Sequence, residues 1–534
     1  MTTAARTSRA AAGMGAIAAI SRAIGFVRVL VIAAVLGTTY LGNAFQAANS
    51  LSNVLFELLA AGALSAVLVP AFVDLLDSGD ERGAEEVAGG LLGVAMIILG
   101  LVAAGGVLAA PLLARALTLG VPSEIAVEQR ELTAFLVRFF VPQVVLYAAG
   151  AIATAVLHAR RRFAIAAAAP IGNTIVMVSC LLAFRAAVGA DPGVELSADG
   201  RWWLVAAGSG GVVAFVGVLL LACRSTGFRL RPRLPRGDAR VWAVMRHSGW
   251  GIVLHTGAGL LLGGAIFAGS AVEGGVVAYQ VAWVFFLAPY AVLAQPIHSA
   301  ILPELVAEAR EGDLVRFRAS IKWSLERMAL LVLPVSAAMA ALALPAMRAV
   351  SFGAVGADGP GLLAAALAML ALGLLPYGAT MLLARAYYAL GDSRTPGLSS
   401  LAGAAFGLVI MGVGAVLTDG WARVAVLGAA HSAAHLLSCT HLFVGLTRRV
   451  RGGLWPTGLG AIVATAACVG VAAWLAGRAL LAGEAGRLAD LVGVSTISIA
   501  VAAVIASAYR VLGMSGRLTR RIAGAASDPS EVSW

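Results

Sequence analysis

Residues 44–48 read AFQAA and residues 278–282 read AYQVA; sixteen residues beyond each comes a second match, SAVLVP from Ser65 and SAILP from Ser299. Both pairs are offset by 234 positions, and at that offset Pro142 also meets Pro376 and Ala155-Val156 meets Ala389-Leu390. Matching apolar pairs is cheap in a hydrophobic chain, but one offset shared by separate regions is not. The chain therefore reads as two similar halves, residues 1–235 and 236–450, followed by an appendage over 451–534.

Composition fixes the solvent around those halves. Of 534 residues, 60% are hydrophobic and 12% charged, with a mean hydropathy of +0.92. An ordinary soluble domain carries about 25% charged residues, so no water-facing surface can be built from what remains. The fold class is an all-α polytopic membrane protein; a soluble enzyme, a disordered chain and a disulfide scaffold are excluded. With a ruler of about 20 apolar residues per crossing, fourteen spans are expected. They lie near 11–37, 43–73, 87–112, 132–157, 163–187, 202–223, 239–269, 274–304, 323–346, 360–389, 396–417, 422–446, 457–477 and 489–509. Six fall in each half and two in the appendage. Arg6 and Arg9 before an apolar stretch resemble a signal peptide, but Arg22 and Arg28 interrupt that stretch and it runs too long, so it reads as a retained first helix.

The net charge of +11 could suggest nucleic acid, but 37 of the 38 cations are arginines scattered mainly through short loops. Loops on the N-terminal side hold 25 cations and the opposite loops hold 8. That asymmetry places both termini in the cytoplasm. The halves then start and end on the same side, as parallel repeats about an axis along the membrane normal, with a central cavity between two lobes. The four cysteines have no metal-ligand spacing.

Five arginines, Arg22, Arg28, Arg138, Arg327 and Arg385, fall inside the expected spans. An arginine at the bilayer centre costs at least ~2.5 kcal/mol and is normally paired or faces a wet cavity. Arg22 and Arg28 are six residues apart in AISRAIGFVRVL, so about 9 Å apart along the helix and roughly 120° around it. The second span carries Asn43, Gln46, Asn49, Ser50, Ser52, Asn53 and Glu57, a polarity that suits a wet cleft better than lipid. Glu57 is the expected partner of Arg22 or Arg28, in a substrate site or a structural salt bridge. Arg138 precedes Pro142, which should kink its helix. Arg327 and Arg385 lie near the cytoplasmic side, where Arg385 can also snorkel, with Tyr387 and Tyr388 as interfacial aromatics. His431 and His435 share a helix face, but the glutamate of HExxH and a third ligand are missing, so they read as packing and helix–helix hydrogen bonds.

Taken in order, SRAIGFVRVL (21–30), the NAF and AAGALSAVLVPAF segments of the second span, LHARRRFAIAAAAPIGN (157–173) and ARAYYALGDSRTP (384–396) resemble the MviN/MurJ family, of the multidrug/oligosaccharidyl-lipid/polysaccharide exporter superfamily. The composition and LAPYAVL (287–293) are similar to its actinobacterial branch. The resemblance implies flipping of lipid II, the undecaprenyl-pyrophosphate-linked peptidoglycan precursor, by alternating access, across the bacterial inner (plasma) membrane and without enzymatic chemistry. It matches Arg22 and Arg28 to the family's first-helix cavity arginines and Asn53 to its second-helix asparagine. The chain departs from the pattern at Phe56, Ala61 and Trp283-Val284, where a second-helix arginine, a glutamate and an acidic–arginine pair are expected.

The expected substrate-binding set is thus Arg22, Arg28, Gln46, Asn53, Glu57, Gln280 and Arg385, the arginines holding pyrophosphate and the amides holding sugar or peptide. No cofactor or metal is expected; coupling to membrane potential or an ion stays open. Expected partners are the lipid-linked precursor, membrane lipids and cell-wall synthesis proteins. The alternatives are an exporter of another lipid-linked polysaccharide or of drugs, and a non-transporting scaffold of the cell-wall machinery.

Overall fold

Gly37 ends the first helix with a φ of +73°, a left-handed conformation that glycine adopts without strain. Thr39 opens the next helix, its Oγ1 accepting the Gly42 N–H at 3.2 Å. The computed structural model describes residues 3–56, 62–190, 192–234, 241, 249–481 and 486–511, and among them every regular element is helical. The first half holds α1 (Thr3–Leu36), α2 (Tyr40–Phe56), α3 (Gly62–Asp77), α4 (Glu81–Leu108), α5 (Ala110–Leu117), α6 (Ser123–Phe140), α7 (Gln143–Ala159), α8 (Phe163–Val188), α9 (Ala198–Val205) and α10 (Gly211–Ser225). The second holds α11 (Gly249–Gly269), α12 (Gly275–Pro289), α13 (Gln295–Ala300), α14 (Leu302–Glu311), α15 (Leu314–Ala341), α16 (Ala343–Val350), α17 (Gly359–Leu372), α18 (Leu374–Ala389), α19 (Arg394–Leu417) and α20 (Gly420–Arg449). The appendage consists of α21 (Leu459–Leu481) and α22 (Gly486–Val511).

Nine stretches among the described residues are long and apolar enough to cross a membrane, and a tenth follows if α17 and α18, bent by 45°, count as one. The described parts of the other segments expected to span, near 11–37, 43–73, 239–269 and 422–446, lie on α1, on α2 with α3, on α11 and on α20. The fourth expected span breaks at Val141-Pro142, between α6 and α7, because proline removes a backbone donor and crowds the preceding turn. The described parts of the second expected span, 43–73, lie on α2 and α3. In the second half a π-helical turn, Tyr290–Ala294, joins α12 to α13.

Two large apolar cores form. One gathers residues from Ile32 to Val241, the other joins Val29 and Ala33 to residues from Leu261 to Leu454. Helix α1 serves both: Ile32 and Leu36 enter the first, Val29 and Ala33 the second, two faces separated by the 3.6-residue period. Inside the second core, Gly403 and Gly407 bring α19 against α20; a Cβ at Gly403 would lie 2.5 Å from the Ala434 carbonyl oxygen. Small residues of this kind let membrane helices approach closely. The appendage packs elsewhere, with Val469, Ala473 and Ile497 against Ala338 and Leu342.

Candidate functional site

On α2, Gln46, Asn49, Ser50 and Asn53 recur at spacings of three and four, and so share one face of the helix. Together with Arg28 of α1, Tyr147 of α7, Asn173 of α8 and Gln280 of α12, they line a cavity of about 260 Å³. Gln280 Nε2 donates to the Ser50 hydroxyl, joining the two repeat-related stretches across the cavity. The Oδ1 atoms of Asn49 and Asn173 are buried without a hydrogen-bond partner. Unpaired buried acceptors are costly, at about 1–3 kcal/mol each, and such atoms in a cationic cavity are ready to bind a polar guest. Glycine 211 makes room for Asn173, since a Cβ there would sit 2.5 Å from its Oδ1.

Four of the expected site residues, Arg28, Gln46, Asn53 and Gln280, therefore meet in one place. Arg22 does not line this cavity. It is exposed and its Nη2 donates to Gln295 Oε1 at 3.0 Å, on the second half. The angular separation of the two arginines along α1 is what divides them. Arg385 also lies elsewhere: its Nη1 donates to the His298 carbonyl at 2.8 Å and to Ser299 Oγ at 3.1 Å. Tyr387 is fully buried rather than interfacial, its hydroxyl donating to the Leu442 carbonyl at 3.2 Å. Glu57 lies outside the described residues. Arg138 is exposed, whereas Arg327, expected near the cytoplasmic side, is only 5% exposed and stacks 5.3 Å over the Trp323 ring.

Beyond the cavity, at the end of α1 remote from the N-terminus, backbone groups of the two halves interlock. Asn43 Nδ2 donates to the Val272 carbonyl at 2.7 Å, and Asn43 Oδ1 accepts the Val276 N–H at 3.0 Å. The Ala354 N–H donates to the Ala34 carbonyl at 2.7 Å. Gly353, with φ of +71°, lies so close that a Cβ would meet Ala34 O at 2.2 Å. These contacts fasten the two halves at that end.

Among the described residues the site is one guanidinium among amides, with a tyrosine and an apolar rim. It suits an anionic, hydrogen-bonding guest. Its volume falls below the ~300–1,000 Å³ typical of pockets for drug-sized ligands, so a larger head group requires the halves to part. Asn173 and Tyr147 were not legible as site residues: each belongs to an apolar helix, and only tertiary packing turns it inward. The one available signal was the amide in PIGN, three residues after Pro170.

A family model described as lipid II flippase MurJ matches residues 32–514. Among curated proteins, a probable lipid II flippase MurJ of Rhizobium tropici is 28% identical over 383 residues, covering 70% of this chain and 69% of that protein. Another, from Rhizobium meliloti (strain 1021), is 28% identical over 61% of this chain and 60% of its own length. Among solved structures, lipid II flippase MurJ in an inward closed conformation aligns with a TM-score of 0.71 at 15% identity, covering 93% of this chain and 99% of that one. An inward-facing multidrug resistance MATE family transporter of the MOP superfamily aligns with a TM-score of 0.65 at 13% identity, covering 80% and 94%.

Proposed function

The chain belongs to the lipid II flippase MurJ family, and from that premise we propose that it carries the undecaprenyl-pyrophosphate-linked precursor from the cytoplasmic to the outer leaflet through the cavity around Arg28. The protein is a multi-pass membrane transporter and not an enzyme. The observation that carries the reading is the placement of Arg28 with Gln46, Asn49, Asn53, Asn173 and Gln280 in one cavity. A guanidinium binds pyrophosphate by charge-assisted hydrogen bonds, and the surrounding amides pair with sugar and peptide hydroxyls and N–H groups. The polyprenyl tail stays in lipid. No bond is made or broken.

The halves 1–235 and 236–450 act as the rocking bodies, and the Asn43–Val272 and Ala34–Ala354 contacts are the seal that parts when the cavity turns outward. The 25-to-8 arginine asymmetry supports cytoplasmic termini, and with them residence in the inner membrane. Cell-wall synthesis proteins that consume the precursor on the outer face are the natural partners. A second reading, export of another lipid-linked polysaccharide or of a drug, is favoured by one observation: the family's acidic–arginine pair on the eighth span is Trp283-Val284 here, leaving Arg28 as the one arginine lining the cavity among the described residues.

Photocrosslinking separates these from a scaffold without cargo. A photoreactive phenylalanine analogue in place of Gln280 should capture the undecaprenyl-pyrophosphate-linked precursor in membranes. The same analogue in place of Val416, which is 83% exposed on the helix surface, should capture it weakly. Equal capture at both positions contradicts a cavity-bound cargo.

A further inference from the structure

The second half contains a run of buried titratable rings that cargo binding does not use. The Tyr279 hydroxyl lies 2.8 Å from His431 Nδ1, and His431 Nε2 lies 3.2 Å from His435 Nε2. The His435 ring meets Tyr377 edge-on at 4.8 Å, and Tyr377 meets Tyr290 at 4.7 Å. The Tyr290 hydroxyl is 2.9 Å from His298 Nε2. Tyr279, His431 and His298 are 1%, 4% and 1% exposed. The far end of the run reaches Arg385, hydrogen-bonded to His298, and exposed Arg22, hydrogen-bonded to neighbouring Gln295.

Hydrogen-bond arithmetic decides what the histidine pair can hold. If Tyr279 donates to His431 Nδ1, then His431 carries its proton on Nε2 and donates it to His435 Nε2, which leaves the His435 proton on Nδ1. One added proton fits: placed on His431 Nδ1, it makes an imidazolium that donates both to the Tyr279 oxygen and to His435 Nε2. The Tyr279 hydroxyl then turns from donor to acceptor. A second added proton would set two N–H groups face to face at 3.2 Å, which no hydrogen bond can relieve.

Of the elements packed on α20, α12 presents Tyr279 and α18 presents Tyr377; α17 carries no titratable side chain, and the titratable side chains of α11 and α19 are His255 and Arg394. Trp283 covers His431 at 4.5 Å. No third metal-ligating side chain stands with the two histidines among the described residues, so the donor set suits a proton and not a coordinated cation. Tyr279 precedes Gln280 on α12, and Gln280 bonds Ser50 across the cargo cavity. A change in the Tyr279 hydrogen bond therefore acts one residue from the contact between the halves.

We propose that His431 and His435, with Tyr279 as the switching hydroxyl, form a binding site for a single proton whose loading is coupled to the transport cycle; the coupling rests on the flippase reading above. Two readouts test it. In the first, the full chain labelled with ¹⁵N-histidine in lipid bilayers is followed by solid-state NMR from about pH 5 to pH 8, the range in which imidazole normally titrates. One imidazolium per pair should appear on acidification and vanish in His431→Gln and His435→Gln, while Tyr279→Phe, which keeps the ring and its packing, should shift its midpoint. In the second, vesicles clamped at zero potential carry the undecaprenyl-pyrophosphate-linked precursor and a gradient of about one pH unit. One coupled proton can then shift the leaflet ratio by up to about tenfold, in either direction, and the histidine variants should lose that response.

A pair that stays neutral throughout overturns the site. A pair that titrates beside a leaflet ratio indifferent to the gradient overturns the coupling. If the pair titrates but the precursor moves under no condition, the flippase reading falls and the proton site stands.

Discussion

Arg28 and Arg22 share one helix and have different surroundings, because six residues of α-helix turn them through about 120°. Arg28 joins the amide-lined cavity, while Arg22 reaches Gln295 of the second half. Losing a hydrogen bond to a charged partner costs about 1.5–3 kcal/mol, so Arg28→Ala should weaken precursor binding by roughly ten- to a hundredfold. Arg22→Ala should weaken it far less, as titration of the purified proteins with the precursor would show. A second residue-scale prediction concerns the loop between α18 and α19. Burial pushes the Asp392 carboxyl up, but hydrogen bonds from the Thr395 hydroxyl and N–H and from the Arg449 guanidinium, at 2.6 Å, hold it below its usual range. A carboxyl depressed on folding stabilises above its unfolded value and loses that contribution as pH falls through the folded one. Asp392→Asn should therefore cost about 1 kcal/mol at neutral pH. In thermal unfolding the gap from wild type should persist down to about pH 4 and close below it. At this scale Gln46 and Gln280 were legible because the repeat names them together; Asn49 stood out only as part of a polar helix, and Asn173 not at all, since its inward aim depends on α10 approaching through Gly211.

Elements show where the halves are fastened. Asn43 at the start of α2 pairs with the Val272 carbonyl and the Val276 N–H, so Asn43→Ala leaves a buried donor unsatisfied in the sealed state. That penalty, about 1–3 kcal/mol, favours the open seal by up to roughly tenfold or more. A cysteine in place of Ser50, in a chain otherwise free of cysteine, should then react several-fold faster with an impermeant thiol reagent added from outside. An unchanged rate would show that this asparagine does not hold the seal. Helix breaks were partly legible: Pro142 announces the α6–α7 break, and Pro289 and Pro296 bracket the π-turn, although nothing within 290–294 marks it. The shared face of His431 and His435 followed from their spacing, whereas their partner Tyr279 is 152 residues away in sequence and enters only through the fold.

For the whole molecule, the apolar surplus and the arginine asymmetry were enough to establish a polytopic helical membrane protein, because both are properties of composition along the chain. The number of crossings is harder to read, since α20 carries His431, Ser432, His435, Ser438 and His441 through its apolar run. What the sequence could not supply was the conformational state. The structure adds two cores with α1 shared between them, contacts between the halves at Asn43 and Ala354, and a cavity of about 260 Å³. The central claim, that this cavity moves the lipid-linked precursor, is tested most directly in the host. The protein is depleted and lipid II at the outer membrane face is quantified, with complementation by wild type and by Arg28→Ala at equal expression. Loss of outer-face lipid II that wild type restores and Arg28→Ala does not is the predicted result; outer-face lipid II unchanged by depletion, in cells without a second flippase, would contradict it.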